Sequence, residues 1–324
     1  MASRFIRSIP ILALAAATGA WAQTYPTKPV TMIVPFAAGG PTDTVARTIS
    51  VAMQNVLKQT VLVENVGGAG GTLGVARVAR ATPDGYTILL YHIGMSTAPA
   101  LYRKLPFDPL KDFEYIGLVN EVPMTLIGKS TLQANNFKEL LAWIKATGNK
   151  VNYGNAGLGA ASHLCGLLFM STIEVDMTTI SYKGTAPAMN DLLGGQIDLM
   201  CDQTTNTTSQ IKGGKVKAYA VTSPKRVPSL PNLPTLQEEG LKGFEVLIWH
   251  ALYAPKGTPK PVIDALVKAN QEAIKDATVK QRFADLGAES VSADRATPAY
   301  LQKFLAAEIA KWGPIIKKAG QYAD

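Results

Sequence analysis

The chain has 324 residues, of which 47% are hydrophobic and 17% are charged, a composition typical of a folded globular protein and not of a disordered one. Its formal net charge is +8, from 32 basic and 24 acidic residues, and the basic residues are scattered without interleaved aromatic ones. This pattern predicts a solvated surface and argues against nucleic acid as a partner.

The first 22 residues have the pattern of an export signal. Arg4 and Arg7 precede an apolar stretch over residues 9–17, and a small-x-small cleavage site ends at Ala22. That apolar stretch is too short to span a bilayer. We therefore expect residues 1–22 to be removed and the mature protein to be soluble and periplasmic.

The mature chain opens with a predicted strand, a glycine pair and a helix. Residues 30–34 form a β-branched, apolar run typical of a buried strand, and apolar residues recur at helical spacing from Val45 onward. Gly39 and Gly40 lie between them, and Pro41 is a residue favoured at the first helical position. Because backbone N–H groups at such a turn attract anions, this loop predicts an anion-binding site.

Strands and helices then alternate along the chain. The remaining strands are predicted at residues 60–65, 86–90, 113–119, 124–127, 151–153, 177–181, 197–201, 216–221 and 246–253. The remaining helices are predicted at residues 73–78, 137–144, 164–170, 186–193, 261–276, 280–286 and 298–318, the last one interrupted at Pro314. Residues 91–97 are expected to form an irregular strand tip on the same rim as the glycine pair.

Two positions in this series predict crossings between domains. Residues 120–123 interrupt a strand, and we interpret the interruption as a crossover into a second domain, with the return at residue 246. Residues 23–123 and 246–324 would then form one α/β domain and residues 124–245 the other. The predicted fold class is α/β, with two lobes, two crossover strands and a hinged cleft.

Motifs of catalytic and cofactor sites are incomplete in this sequence. Gly128-Lys129-Ser130 resembles the end of a phosphate loop, but the required glycine is replaced by Pro123. The three histidines are far apart, and there is neither a G-x-S-x-G nor a C-x-x-C motif. We therefore expect no enzymatic activity, no metal and no cofactor.

Four polar residues each have a structural and a functional interpretation. Asp43, in the first turn of a helix, is interpreted as a structural acid stabilised by the helix dipole. His92, at a strand tip, is either a structural hydrogen-bonding residue or part of the cleft. Lys183 is either a solvated charge or a partner for a carboxylate. Asp202 is either a turn acid or a partner for a ligand ammonium group.

The sequence does not decide whether the two cysteines, Cys165 and Cys201, form a disulfide. An exported protein can form one, but both residues fall on predicted regular elements, where buried free thiols are also common. We favour free thiols.

An ordered set of motifs resembles one protein family. The motifs occupy residues 35–43, 65–71, 83–87, 107–113, 153–157, 182–184, 220–223, 233–235 and 254–259. Together they are similar to the substrate-binding proteins of tripartite tricarboxylate transporters, the Bug family. The resemblance covers essentially the whole mature chain. It implies a periplasmic binding protein of the Venus-flytrap, type II-like fold, acting as a monomer that delivers an organic anion to membrane permease subunits.

The resemblance also implies a set of ligand-binding residues, mostly backbone N–H groups and small hydroxyls. By motif these residues are Phe36, Ala38, Gly39, Gly40, Thr42, Asn155, Gly157, Gly159, Ala161, Lys183, Gly184 and Thr185, and by position on the rim His92 and Ser96. The asparagine-arginine-proline usual in the family is here Asn65-Val66-Gly67, which removes a charge from the second glycine loop.

The resemblance leaves the ligand and two other functions open. The ligand is a dicarboxylate, an aromatic carboxylate or an acidic amino acid. A periplasmic enzyme of the hydrolase type using the same cleft, and a binding module for a sensor, are the alternatives.

Overall fold

The computed structural model describes residues 25–318, so the predicted export signal lies outside the described part. Its strands are β1 (Val30–Val34), β2 (Val61–Asn65), β3 (Thr87–His92), β4 (Phe113–Lys129), β5 (Asn152–Asn155), β6 (Thr178–Ser181), β7 (Leu199–Gln203), β8 (Val216–Val221), β9 (Leu247–Pro255) and β10 (Glu289–Ser290). Its helices are α1 (Pro41–Leu57), α2 (Thr72–Ala79), α3 (Gly94–Leu101), α4 (Phe137–Thr147), α5 (Ala161–Ile173), α6 (Thr185–Leu193), α7 (Thr204–Lys212), α8 (Lys260–Lys275), α9 (Ala277–Asp285) and α10 (Pro298–Lys318).

The strands form one mixed sheet in the order β2-β1-β3-β9-β4-β7-β5-β6, with β8 and β10 also paired to β4. On one side, β1 pairs in parallel with β2 and β3. On the other side, β5 pairs in parallel with β6 and β7. The carboxyl ends of these parallel strands carry the loops that face each other between the two halves, as expected for open α/β sheets.

The long strand β4 belongs to both halves of the molecule. Its first part, Phe113 to Pro123, pairs with β9, and its second part, from Met124 onward, pairs with β7 and β8. The predicted interruption at residues 120–123 is therefore wrong, because the strand continues through Pro123. A proline is tolerated there because the strand changes neighbours at this point, where one N–H fewer costs least. The division of the chain at residues 123 and 246 stays a prediction.

Several other predicted elements need correction. Residues 94–97 are not an irregular tip but the first turn of α3. Helix α7 was not predicted, since its sequence is rich in threonine, which favours strands. Helix α10 continues through Pro314. The predicted starts of β1 and α1, at Val30 and Pro41, are confirmed.

The expectation of free thiols is also wrong, because Cys165 on α5 and Cys201 on β7 form a disulfide with a Cα–Cα distance of 6.1 Å. Both residues are buried in the same half of the molecule. The sequence predicts that both cysteines are buried, but it does not show whether they are neighbours. That depends on the packing of α5 against β7, which is a tertiary contact. The bridge ties together two elements whose ends reach the cleft.

Within residues 25–318, every helix is too short or too polar to cross a lipid bilayer. Helix α10 packs on α3 and β4, and α1 packs on α8, which completes the half that contains β1 to β3 and β9. Helices α5, α6 and α7 pack on β7, in the half that contains β5 to β8. We refer to these halves as the first and second lobes.

Candidate functional site

The loop between β1 and α1 is held in place by Asp43. The Asp43 carboxylate accepts hydrogen bonds from Gly39 N at 2.9 Å, from Arg47 Nε at 2.9 Å and from Asn65 Nδ2 at 3.0 Å. Burial alone would raise the pKa of Asp43, but the three hydrogen bonds outweigh it and hold the pKa below its usual range. The structural interpretation of Asp43 is confirmed. Its contact with Gly39 means that this N–H, predicted to bind the ligand, is already occupied.

His92 ends β3 and forms part of an aromatic stack. Its ring centroid lies 4.8 Å from that of Phe36 and 4.7 Å from that of Tyr91. The ring atom Nδ1 accepts a hydrogen bond from Gly94 N at 2.9 Å. Because a backbone N–H can only donate, Nδ1 carries no proton, and the proton of the neutral ring is on Nε2. Burial lowers the pKa of His92 to about 3, so the ring is a neutral hydrogen-bond donor through Nε2 at physiological pH.

A buried chain of three polar side chains continues from the first turn of α1 into the sheet. Thr42 Oγ1 lies 3.3 Å from His250 Nε2 on β9, and His250 Nδ1 lies 2.9 Å from Asn120 Oδ1 on β4. Burial, and then the neighbouring His92, lower the pKa of His250 well below its usual range. The chain fixes the rotamer of Thr42 from behind, because His250 and Asn120 are themselves completely buried.

The second lobe contributes the end of β7 and the starts of α5 and α6. Asp202, on β7, is buried and accepts a hydrogen bond from Asn206 Nδ2 at 2.6 Å. Ser162 Oγ accepts one from Ala156 N at 2.8 Å, which fixes the loop before α5. Thr185 begins α6 and is also buried. The second lobe therefore presents a carboxylate and two hydroxyls at the ends of its elements.

These groups surround a small cavity between the lobes. About 10 Å³ of it is open to the centres of water-sized spheres, which is room for about one water molecule. A larger ligand therefore requires the lobes to move apart. The cavity is lined by Phe36, Pro41, Thr42, His92, Ala156, Ala161, Ser162, Thr185, Asp202 and Gln203. None of these lining residues is a lysine or an arginine.

Direct contacts between the lobes surround the cavity. Ala37 N donates to Lys183 O at 3.0 Å, and Thr97 Oγ1 donates to Gly159 O at 3.0 Å. The Tyr102 hydroxyl lies 2.8 Å from Leu158 O. All three acceptors are carbonyl oxygens at glycine-rich tips of the second lobe. The described conformation is therefore one in which the lobes are closed against each other.

Six of the predicted site residues line the cavity, namely Phe36, Thr42, His92, Ala161, Thr185 and Asp202. Others lie at the contacts between the lobes: Gly40 faces the Thr185 hydroxyl, and Gly184 faces Ala37. A Cβ on Gly157 would be 2.9 Å from Gly70 N, and a Cβ on Gly159 would be 3.2 Å from a methyl carbon of Leu101. Their roles in binding stay predictions.

The remaining predicted site residues lie away from the cavity wall. The side chains of Ala38 and Lys183 are exposed, and Lys183 contacts the first lobe through its carbonyl oxygen. Ser96 is buried in the first turn of α3, where its hydroxyl donates to Ile93 O at 2.7 Å. Asn155 accepts from Gly157 N at 2.8 Å and so shapes the loop after β5. The roles of these four residues in binding stay predictions.

Sequence reasoning missed four lining residues: Pro41, Ala156, Ser162 and Gln203. Ala156 lies inside a glycine loop that was predicted to face the cleft, and its neighbours Asn155 and Gly157 were predicted site residues. Its position between them could have identified it. Ser162 lies in the first turn of α5, whose start was predicted too late in the chain. Gln203 was missed because β7 was predicted to end before it.

One residue of the cavity wall has a buried polar atom without a protein partner. Among residues 25–318, Gln203 Oε1 is buried and has no hydrogen-bond partner. Buried polar atoms in native proteins are nearly always paired, so such atoms at a cavity indicate a polar ligand or bound water. In the described part of the chain, no group of three or more His, Cys, Asp or Glu side chains is placed to hold a metal ion.

Two α/β lobes that share one long strand and close over a polar cavity define a periplasmic binding protein. The chain belongs to the tripartite tricarboxylate transporter receptor family, TctC, whose model matches residues 45–321. This agrees with the family indicated by the sequence motifs.

Three solved structures are similar over nearly the whole chain. The periplasmic binding protein BugD is 56% identical, with a TM-score of 0.91, over 93% of this chain and 100% of that one. MatC from Rhodopseudomonas palustris, with bound malate, is 39% identical, with a TM-score of 0.87, over 90% of this chain and 100% of that one. Rpa4515 from R. palustris, with adipate, is 31% identical, with a TM-score of 0.87, over 91% and 98%.

Proposed function

We propose that this protein is a periplasmic receptor that binds a small dicarboxylate between its lobes and delivers it to a membrane permease. The observation that carries the proposal is the cavity itself, where a neutral imidazole and several hydroxyls from both lobes converge. Such donors bind carboxylates by hydrogen bonds without a fixed positive charge. Two relatives that hold malate and adipate support a dicarboxylate over a monocarboxylate.

The arrangement of the lobes supports capture by closure. The named hydrogen bonds between the lobes, from Ala37 N, Thr97 Oγ1 and the Tyr102 hydroxyl, all end on backbone carbonyl oxygens that water can satisfy when the lobes separate. A ligand that bridges His92 and Thr185 would replace these contacts with its own, because the two residues belong to different lobes. Closure would then be favoured by the ligand, which is how a permease can distinguish a loaded receptor from an empty one. We propose that the receptor acts as a monomer.

A thermal-shift screen tests the proposed function. Purified mature protein would be heated with malate, adipate, aspartate, glutamate, nicotinate and benzoate, each at a saturating concentration. A ligand that binds only the folded state raises the melting temperature by an amount that grows with its concentration. We expect malate or adipate to raise it more than benzoate or nicotinate. If no carboxylate raises it, the proposal is wrong.

A hydrolase is the second candidate, because one observation favours it. Thr42, His250 and Asn120 have the connectivity of a nucleophile, a base and an orienting residue, and Thr42 lines the cavity. We rank it lower because burial keeps the pKa of His250 far below neutrality, which makes its ring a weak proton acceptor. Turnover of a bound ester or amide, lost in a His250→Gln variant that still binds ligand, would favour the hydrolase.

A further inference from the structure

Asp202 is a buried carboxylate without a cationic partner. Its side chain lines the cavity, and the residue is 1% exposed. Its hydrogen-bond donors are Asn206 Nδ2 at 2.6 Å, the backbone N–H of Gln203 and the hydroxyl of Thr185, all of them neutral. Neither a lysine nor an arginine is among the residues lining the cavity. A buried charge in this situation is stabilised either by a cationic group of the ligand or by a proton.

The titratable groups that face Asp202 from neighbouring elements are both neutral. Tyr153, on β5, donates its hydroxyl proton to Ser162 O at 2.7 Å, and burial raises its pKa. His92, on β3, lines the same cavity as a neutral ring, because its Nδ1 accepts from Gly94 N. The neighbours on α6 and α7, Thr185 and Asn206, do not titrate. Asp202 is thus the one group of the cavity wall whose charge changes near neutral pH.

We propose that Asp202 takes up one proton from solvent when a dicarboxylate binds, and that the affinity for the ligand therefore rises as the pH falls. This inference rests on the proposed function. The proton resides on a carboxylate oxygen of Asp202, which becomes a hydrogen-bond donor to the ligand. Without it, the ligand carboxylate and Asp202 would be two like charges in one small cavity.

The direction of the effect follows from linkage. Burial raises the pKa of Asp202 to about 6 in the ligand-free protein, so the group is mostly ionised at pH 7. A bound anion raises this pKa further, since it disfavours a second negative charge nearby. Between the two pKa values, each unit of pH increase should weaken binding by about tenfold. Asp202 would also discriminate among ligands, because a ligand ammonium group would favour its ionised form and reverse the pH dependence.

Isothermal titration calorimetry with malate and adipate tests the inference. The dissociation constant would be measured at pH 7.0 and pH 8.0, and the binding enthalpy at pH 7.0 in two buffers of different ionisation enthalpy, which gives the number of protons taken up. We expect close to one proton and a dissociation constant about tenfold larger at the higher pH. The Asp202→Asn variant, a neutral isostere of the protonated acid, should bind without proton uptake or pH dependence.

A matched variant and a folding measurement complete the experiment. Asp176→Asn removes the same charge from an exposed position and should keep the proton uptake of the wild type. If Asp202→Asn does not fold, as judged by its melting temperature, the proton count of the wild type still decides. Binding without proton uptake, or binding that strengthens with pH, overturns the inference and leaves the proposed function intact. If neither malate nor adipate binds and no carboxylate in the thermal-shift screen raises the melting temperature, the inference and the proposed function are both wrong.

Discussion

The backbone N–H of Gly94 donates to Nδ1 of His92 at 2.9 Å, and this contact determines which atom of the imidazole carries the proton. With Nδ1 an acceptor, Nε2–H is the donor that the ring offers to a ligand in the cavity. The aromatic neighbours Phe36 and Tyr91 hold the ring in this orientation. His92 therefore combines both interpretations drawn from sequence, since Nδ1 has a structural hydrogen bond and the residue lines the cavity.

Two separate amide variants, His92→Asn and His92→Gln, distinguish the acceptor role of Nδ1 from the donor role of Nε2. An asparagine can accept from Gly94 N as Nδ1 does, but it has no donor at the position of Nε2, whereas a glutamine can place a donor there. We expect His92→Asn to weaken dicarboxylate binding by about 1.5–3 kcal/mol, or roughly 10- to 150-fold. His92→Gln should lose less, as measured by calorimetry. Equal affinities in the two variants would exclude a donor role for Nε2.

Closure of the lobes depends on Gly70, which lies against the second lobe. A Cβ at this position would be only 1.8 Å from Leu158 O, so Gly70→Ala should hold the lobes apart. We expect weaker ligand binding and a larger radius of gyration by small-angle X-ray scattering. Gly214 is the matched control, because its φ of +63° is close to the +60° of Gly70 and a Cβ there meets nothing within 4 Å. It ends α7 in a left-handed turn, in which Lys215 N donates to Gln210 O.

Both glycine variants pay a similar backbone cost, of about 1 kcal/mol, because alanine is strained at positive φ. A difference between them in affinity therefore reports the contact between the lobes. If Gly70→Ala and Gly214→Ala bind equally well, the closed arrangement at this contact is not part of ligand binding.

The disulfide between Cys165 and Cys201 should stabilise the second lobe. It closes a loop with a sequence separation of 36 residues, for which the chain-entropy model gives about 3–4 kcal/mol. We expect the double variant Cys165→Ala, Cys201→Ala to unfold at lower urea concentration than the wild type. A reductant should lower the stability of the wild type and leave that of the double variant unchanged. An effect of the reductant on the double variant would contradict this assignment.

Asp43 should stabilise the protein in a pH-dependent way. Its pKa is lowered in the folded state, so its contribution is fully present above the unfolded value near 3.8 and is lost as the pH falls through the folded value. We expect Asp43→Asn to lower the free energy of unfolding by about 1–3 kcal/mol at pH 7. This difference from the wild type should shrink at pH 3. Urea unfolding at both pH values measures it, and a constant difference would argue against a titrating Asp43.

The sequence predicted the local elements of the site well. The strand before Gly39, the helix from Pro41 and the structural role of Asp43 follow from short-range rules of propensity, helix termini and the helix dipole. The order of strands and helices predicted the α/β class and the two lobes, and the family motifs added the class of receptor and most of the predicted site residues. Of the six lining residues predicted, Phe36, Thr42, Ala161 and Thr185 came from the family motifs, and His92 and Asp202 came from their positions at strand ends.

The errors concern contacts between distant segments. The disulfide joins a helix and a strand that are 36 residues apart in the chain. Residues 120–123 look like a break, yet the strand continues because β9 and β10 pair with it on either side. Tertiary pairing overrides a local signal at each of these places.

A crystal structure of the mature protein grown with malate or adipate tests the central claim most directly. The account predicts the ligand in the cavity between the lobes, with carboxylate oxygens about 3 Å from His92 Nε2 and from Thr185 Oγ1. Ligand bound only outside that cavity, for example in the groove lined by Trp249, Phe304 and Trp312, would contradict it.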